Sequence, residues 1–274
     1  MDGRTAASPE APLGRARRRT SVTGVLGELL ITLGIVVLLY VGWQLWIGDM
    51  IYGAQNNAAG QELSEEWDAS ADEVPVPVPA APDPAGSPDP TGSPDPSATT
   101  APEQVWEPIV LDQPGNTEVF GIMRIPRFGA EYATMIAGGV TRAGTLDHIG
   151  IGHYPDTEMP GQVGNVALAA HRTTFGAPFA RLAELHVGDA VVIETPVGWY
   201  TYRFRNLEYV QPSEIDVLED VPQAPGTPAD GRYLTMTSCS PKFSLAERIV
   251  GYSIFESFRP RAEGPPTSLT DAAV

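Results

Sequence analysis

The chain has 274 residues, 42% of them hydrophobic, which suits one compact domain with accessory segments. It carries 17 Lys and Arg against 34 Asp and Glu, a formal net charge of −17. Binding to phosphate backbones needs clustered basic side chains, so this balance argues against a nucleic-acid partner.

Residues 1–21 form a short basic segment in which Arg4, Arg15, Arg17, Arg18 and Arg19 face only Asp2 and Glu10. From Leu29 to Ile47 there is then no charged residue. Such a run is long enough to cross a hydrocarbon core roughly 30 Å thick. Its apolar residues surround the helix instead of forming a stripe, which argues against a half-buried globular helix. With arginines before it and acid after it, the positive-inside rule puts the N-terminus in the cytoplasm and everything beyond about residue 50 outside. Trp43, Trp46 and Tyr52 lie toward the outer end, where interfacial aromatics are expected. A cleaved signal peptide would have a shorter apolar region, and Tyr52-Gly53-Ala54 is a poor cleavage site. Segment 22–50 is therefore expected to be an uncleaved transmembrane signal anchor. It would make the protein a single-pass component of the cell membrane with an extracellular domain.

Residues 51–107 hold eleven Asp and Glu and no Lys or Arg. Val74 to Pro79 alternates valine with proline, and Gly86 to Thr91 is nearly copied by Gly92 to Ser97. This composition cannot bury enough apolar surface to offset ordering entropy, so 51–107 is expected to be a disordered extracellular linker. The tail 261–274 is expected to be disordered as well.

Between about 108 and 260 short β-prone runs alternate with Gly, Pro and Asp turns. Phe120–Ile125, Ala133–Ile136, Asn165–His171, Ala190–Glu194, Tyr200–Leu207, Leu234–Cys239 and Ile249–Phe258 read as strands. Tyr200, Tyr202 and Phe204 share one face by period-two spacing. Pro178–Leu185 and Pro212–Leu218 read as short helical turns. Roughly 150 residues of this kind predict a mostly-β barrel or sandwich with short helices.

Cys239 is the only cysteine in the chain, so it has no intrachain disulfide partner. A thiol at a strand end is either an inert small hydrophobe or a nucleophile, and a nucleophile needs a base to make the thiolate. Four histidines are candidates. His171 ends the apolar run Val166 to Ala170 and so, like Cys239, stands at a strand end. His148 and His153 flank a glycine-rich loop and would be able to line a site. His186 follows a helical turn and reads as a solvent-facing turn residue. Acyl transfer also needs fixed positive charge at the developing oxyanion. Arg248 opens the strand after Cys239 and would return beside it. Arg172 points away from the face that His171 uses, because strand neighbours alternate, and Lys242 follows Pro241 in a surface loop.

With these residues in place, Thr235-Met236-Thr237-Ser238-Cys239 resembles the Thr-Leu-x-Thr-Cys signature of sortases, membrane-anchored cysteine transpeptidases built on an eight-stranded β-barrel. Arg248, nine residues after the cysteine, matches the sortase arginine. His171, in Ala169-Ala170-His171-Arg172-Thr173-Thr174, matches the sortase histidine. The stretch from His153 to Asn165 is similar to class E sortases of actinobacteria. Met236 stands where the family usually has Leu, and Ser238 where it usually has Thr.

The resemblance covers roughly 110–258. It implies that Cys239 attacks a carbonyl between Thr and Gly of an LAXTG- or LPXTG-type sorting signal on a secreted protein. His171 would protonate the leaving amine, and Arg248 would position the peptide and stabilise the oxyanion. The thioester would pass to an amine of a peptidoglycan precursor. Tyr154, Thr237 and Ser238 are implied as substrate-binding residues, with Tyr154 linked to a preference for Ala in the signal. A pilin-polymerising sortase, a cysteine hydrolase or L,D-transpeptidase, and a non-catalytic wall-binding module are the alternatives. No carboxylate spacing builds a metal site, and no nucleotide-binding pattern occurs, so no cofactor is expected.

Overall fold

The structure, a computed structural model, describes residues 21–43, 47–71 and 105–270. It divides into two compact units, Met1–Gln44 and Leu45–Val274. The described part of the first is helix α1, Val22–Gly42, with no buried residue and one charged side chain, Glu28. It is long and apolar enough to cross a membrane and fits a membrane anchor. The basic residues 1–20 lie outside the described residues.

The second unit is built on eight strands: β1 (Val119–Arg124), β2 (Thr134–Gly138), β3 (Ile151–His153), β4 (Gly164–Ala170), β5 (Ala190–Thr195), β6 (Gly198–Val210), β7 (Arg232–Ser240) and β8 (Glu247–Pro260). They close into a barrel in the order β1-β2-β3-β4-β7-β8-β6-β5. The β2–β3 and β4–β7 pairs are parallel and the rest antiparallel. Closure leaves no free sheet edge. Seven strands match runs legible in the sequence. The eighth, β3, is three residues long and contains a glycine, too short for any periodicity to mark it.

Inside the barrel Val166, Leu168, Leu234, Met236, Ile249, Tyr200 and Tyr202 are fully buried. The period-two face of β6 therefore points inward as its spacing predicts. The two expected helical turns contain the single 3-10 turns Leu182–Glu184 and Asp216–Leu218.

The expected disordered linker differs from the structure in its first part. Residues Gly48–Ala69 form helix α2, packed against the barrel. Averaging composition over 51–107 hides the cause: every proline in that span lies at 75 or beyond, and the preceding residues are rich in the helix formers Ala, Glu and Gln. Residues 72–104 lie outside the described residues. Asn57 Oδ1 accepts from the Ala133 N–H at 3.2 Å and the Thr134 hydroxyl at 3.3 Å, and Gln61 donates to the Glu131 carboxylate at 2.8 Å. Gly60 lets the backbones touch, since a Cβ there would stand 2.0 Å from the Ala133 carbonyl oxygen.

The chain from 261 is also ordered where it is described. Arg261 is buried in a 3-10 turn (Arg261–Glu263), and helix α3 (Thr267–Thr270) follows. The guanidinium of Arg261 donates to Glu194 at 2.9 Å, pairs with Asp68 of α2 and lies over the Trp199 ring at 4.6 Å. Glu194 also receives Arg124 at 2.8 Å and the Ser64 hydroxyl of α2. This one carboxylate thus ties β1, β5, α2 and the segment after β8. The segment before β1 joins the same body, with Trp106 in the core and the Ile109 carbonyl accepting from the Tyr200 hydroxyl.

Burial raises the pKa of Glu194, but Arg124, Ser64 and Arg261 outweigh it and hold the carboxyl below its ordinary value. A depressed native pKa stabilises the fold fully above the unfolded value, about 4.3, and that contribution is lost as the pH falls through the native value. Glu194→Ala should cost about 3 kcal/mol in urea unfolding at pH 7, because it strands the buried Arg261. The difference from wild type should shrink as the pH is lowered below about 4.

Candidate active site

Three neighbouring strands carry the three sequence-predicted catalytic residues to one place. In the parallel β4–β7 pair Ala169 faces Thr237, and in the antiparallel β7–β8 pair Cys239 faces Arg248 directly. Extending the first register by two residues sets His171 beside Cys239. Alternation along β7 divides the side chains. Leu234 and Met236 fill the barrel core, and Ser238, on the same face, is buried with its hydroxyl donating to the Ala170 carbonyl at 2.7 Å. Thr237 and Cys239 face the other way.

There they border a cleft of about 570 Å³ that His171, Tyr154 and Arg248 also line. Its apolar walls come from Val140, Leu146, Phe243 and Leu245. Cys239 is half-buried, so its sulfur is neither sealed in the core nor fully in solvent. The Tyr154 hydroxyl and Thr237 Oγ1 are hydrogen-bonded at 3.0 Å. Arg248 Nη1 donates to the carbonyls of Leu245 at 3.2 Å and Glu247 at 3.0 Å, which leaves Nε and Nη2 as the donors these bonds do not use.

His171 has a partner that the sequence reading missed. Its Nε2 lies 2.7 Å from Asp147 Oδ1, with both side chains less than one-fifth exposed. Asp147 follows a π-helical turn, Arg142–Leu146, anchored by the buried Thr145 hydroxyl donating to the Gly138 carbonyl at 3.1 Å. A carboxylate only accepts, so Nε2 carries the proton of this bond and Nδ1 is the nitrogen left for exchange with the cleft. The Phe175 ring stacks on the imidazole, with centroids 5.2 Å apart and planes inclined by 28°. No spacing marks an aspartate 24 residues upstream of a histidine. The nearest signal in the sequence is the adjacent His148.

The other candidates go elsewhere. His153 is 1% exposed, with Nε2 bonded to the Glu158 carbonyl at 2.9 Å and to Thr157 Oγ1 at 3.2 Å, and its ring is edge-on to Phe120. It borders a separate groove. His148 and His186 do not line the cleft, and Lys242 is exposed. Arg172 borders the cleft, but its Nε and Nη1 are buried without a hydrogen-bond partner. No residue of the described segment 105–118 lines the cleft. Among the described residues no group of three or more His, Cys, Asp or Glu is placed to hold a metal ion.

The Sortase domain family matches residues 123–253. The chain is 30% identical over 279 residues to Sortase SrtE1 of Streptomyces coelicolor, covering 96% of this chain and 68% of that protein. Sortase SrtE2 of the same organism is 27% identical over 251 residues, covering 86% and 85%. Among solved structures, the SrtA sortase from Actinomyces oris matches with a TM-score of 0.56 and 31% identity over 59% of this chain and 93% of that one. The crystal structure of Sortase E1 from Streptomyces coelicolor with a tripeptide in the active site matches with a TM-score of 0.53 and 33% identity, over 56% and 97%.

Burial lowers the pKa of His153, opposed in part by the Glu158 carbonyl. A histidine held neutral below its unfolded pKa of about 6.5 loses stability for the fold as the pH drops beneath that value. His153→Asn should remove part of the fall in thermal midpoint between pH 7 and 5, at a cost of about 1–3 kcal/mol at pH 7 from the lost buried contacts. Differential scanning fluorimetry across that range reads both effects.

Proposed function

The chain belongs to the sortase family of cysteine transpeptidases, consistent with class E, and from that premise we propose that Cys239, His171 and Arg248 are its catalytic residues, acting on a sorting signal of the LAXTG or LPXTG type. The observation that carries the reading is the meeting of all three at one cleft, with Cys239 and Arg248 as direct cross-strand partners.

The chemistry runs in two balanced halves. The Cys239 thiolate attacks the carbonyl carbon between Thr and Gly of the signal. The negative charge that develops on the carbonyl oxygen is met by the free donors of Arg248. As the C–N bond breaks, protonated His171 gives its proton to the leaving glycine amine, and a thioester remains on Cys239. An amine of a peptidoglycan precursor then attacks the thioester. His171 takes the proton of that amine, the C–S bond breaks, and the thiolate returns.

Asp147 is the positioning residue for His171: it fixes the ring's tautomer and supports the imidazolium, so that proton transfer runs through Nδ1. Tyr154 and Thr237, joined by their hydroxyls at the cleft wall, fit a role in accommodating the residue after the signal's leucine. Ser238 also borders the cleft, but its hydroxyl is committed to the Ala170 carbonyl. The cleft volume of about 570 Å³ lies in the range that takes a short peptide segment.

Helix α1 would hold the enzyme in the membrane with its N-terminus in the cytoplasm and the barrel outside, where secreted proteins and peptidoglycan precursors meet.

Mass spectrometry of Leu-Ala-x-Thr-Gly and Leu-Pro-x-Thr-Gly peptides incubated with a diamine tests the reaction. Wild type should give the amine-joined product, and Cys239→Ala none, with its circular dichroism unchanged. Hydrolysed peptide alone, in the presence of excess amine, would identify a cysteine hydrolase instead. Arg248→Ala should lower kcat by about 10²–10³ as an oxyanion donor is lost. Asp147→Asn should lower kcat at least about tenfold, with the peptide KM little changed, because it spoils the histidine's tautomer and not the cleft.

A further inference from the structure

The loop that carries the chain away from His171 adopts a conformation that side-chain-bearing residues disfavour. Thr174, Phe175, Gly176 and Ala177 have φ of 67°, 52°, 79° and 44°, four consecutive left-handed residues of which only one is glycine. A run of this kind persists only where its surroundings over-determine it. The turn closes on itself through Ala177 N–H to the Thr174 carbonyl at 2.8 Å, and the chain after it is tied to the end of β4 through Phe179 N–H to the His171 carbonyl at 3.1 Å.

Further contacts are supplied by α2. Asp49 Oδ2, in the first turn of the helix, accepts from the Thr174 N–H at 2.9 Å. One turn on, Gly53 meets Gly176 backbone to backbone. A Cβ on Gly176 would stand 2.9 Å from Gly53 N, so the approach needs a glycine at 176. Between these contacts Tyr52 lies edge-on to Phe175, with centroids 6.4 Å apart. Phe175 in turn is the ring stacked on His171. A continuous path of contacts therefore leads from the start of α2 to the imidazole.

We propose that α2 is a positioning element of the active site: through Asp49 and Gly53 it clamps the left-handed turn Thr174–Ala177, which seats Phe175 against His171 and holds the imidazole on Asp147. The proposal rests on the reading of His171 as the acid–base residue. It separates two jobs within the molecule. The strands β7 and β8 place Cys239 and Arg248 without help, whereas His171, beyond the end of β4, takes its orientation from a helix more than 100 residues earlier in the sequence.

The test uses the full chain in detergent, with the variants Asp49→Ala, Asp49→Asn and Gly60→Leu. Asp49→Ala removes only the acceptor for Thr174. Gly60→Leu drives a side chain into the Ala133 backbone and lifts the helix from the barrel without touching the loop. Asp49→Ala should lower kcat roughly three- to tenfold with the peptide KM unchanged, since misorientation of one catalytic group costs rate and not binding. Asp49→Asn, which keeps an acceptor oxygen, should restore most of that loss. Gly60→Leu should lower kcat further. In both impaired variants hydrogen exchange over residues 172–179 should speed up, while exchange in β7 and β8 stays at the wild-type rate.

Unchanged kcat and unchanged loop exchange in Asp49→Ala and Gly60→Leu would overturn the proposal. So would a rise in KM with kcat intact, which would place α2 at substrate binding. The exchange measurement needs no turnover. An inactive wild type whose loop still loosens in Asp49→Ala would refute the transpeptidase reading and leave the clamp standing.

Discussion

The active site depends on the register of one strand. β7 runs parallel to β4 on one side and antiparallel to β8 on the other, and both pairings must hold for Cys239 to lie between the ends that carry His171 and Arg248. A slip of one residue would turn Cys239 into the barrel and present Ser238 or Ser240 to the cleft. The same alternation that sets the thiol outward packs Leu234 and Met236 inward, so the core's apolar burial enforces the site's geometry. Side-chain bonds reinforce it: Ser238 to the Ala170 carbonyl and Thr237 to the Leu168 carbonyl at 3.3 Å stitch β7 to β4 beside the cysteine. Closure of the barrel removes the free edges along which strands could slide.

Two carboxylates in this molecule show how burial separates structural from chemical use of charge. Glu194 is nearly inaccessible and is met by Arg124 on one oxygen and by Arg261 and the Ser64 hydroxyl on the other. Such a group stays ionised and immobile, and its value is the joining of distant segments. Asp147 is more open, with one histidine at 2.7 Å and the largely exposed Arg142 at 3.5 Å. A lighter set of partners beside His171 fits the role proposed for that histidine, whose ring would gain and lose a proton.

Much of this was legible in the sequence, for identifiable reasons. Cys239, Arg248 and His171 each sit at the end of a β-prone run, so strand patterning alone brings them to a rim. The core face of β6 follows from the spacing of Tyr200, Tyr202 and Phe204. What escaped were features without local pattern. Asp147 acts across 24 residues through an irregular π-helical turn, and β3 is a three-residue strand supported only by its neighbours. Helix α2 is masked in the composition because a proline-free stretch runs directly into a proline-rich one. The ordered chain beyond residue 260 turns on one buried arginine, whose partners at Glu194 and Asp68 lie 67 and 193 residues away.

These omissions share a physical origin that bears on how the enzyme is built. Backbone pairing places groups that lie on strands, and its rules are local enough to be read from a short run of residues. A group just past a strand's end has lost that ladder and must be held by side chains from elsewhere. His171 is such a group, while Cys239 and Arg248 remain inside paired segments. Its ring is held by a carboxylate on one side and an aromatic face on the other, and the loop bearing that aromatic ring is in a conformation its own residues oppose. The placement of His171 thus draws on tertiary contacts, and the helix that follows α1 in the sequence supplies part of them. In a domain otherwise closed on itself, that makes the histidine loop the place where contacts outside the barrel act on the chemistry within the cleft.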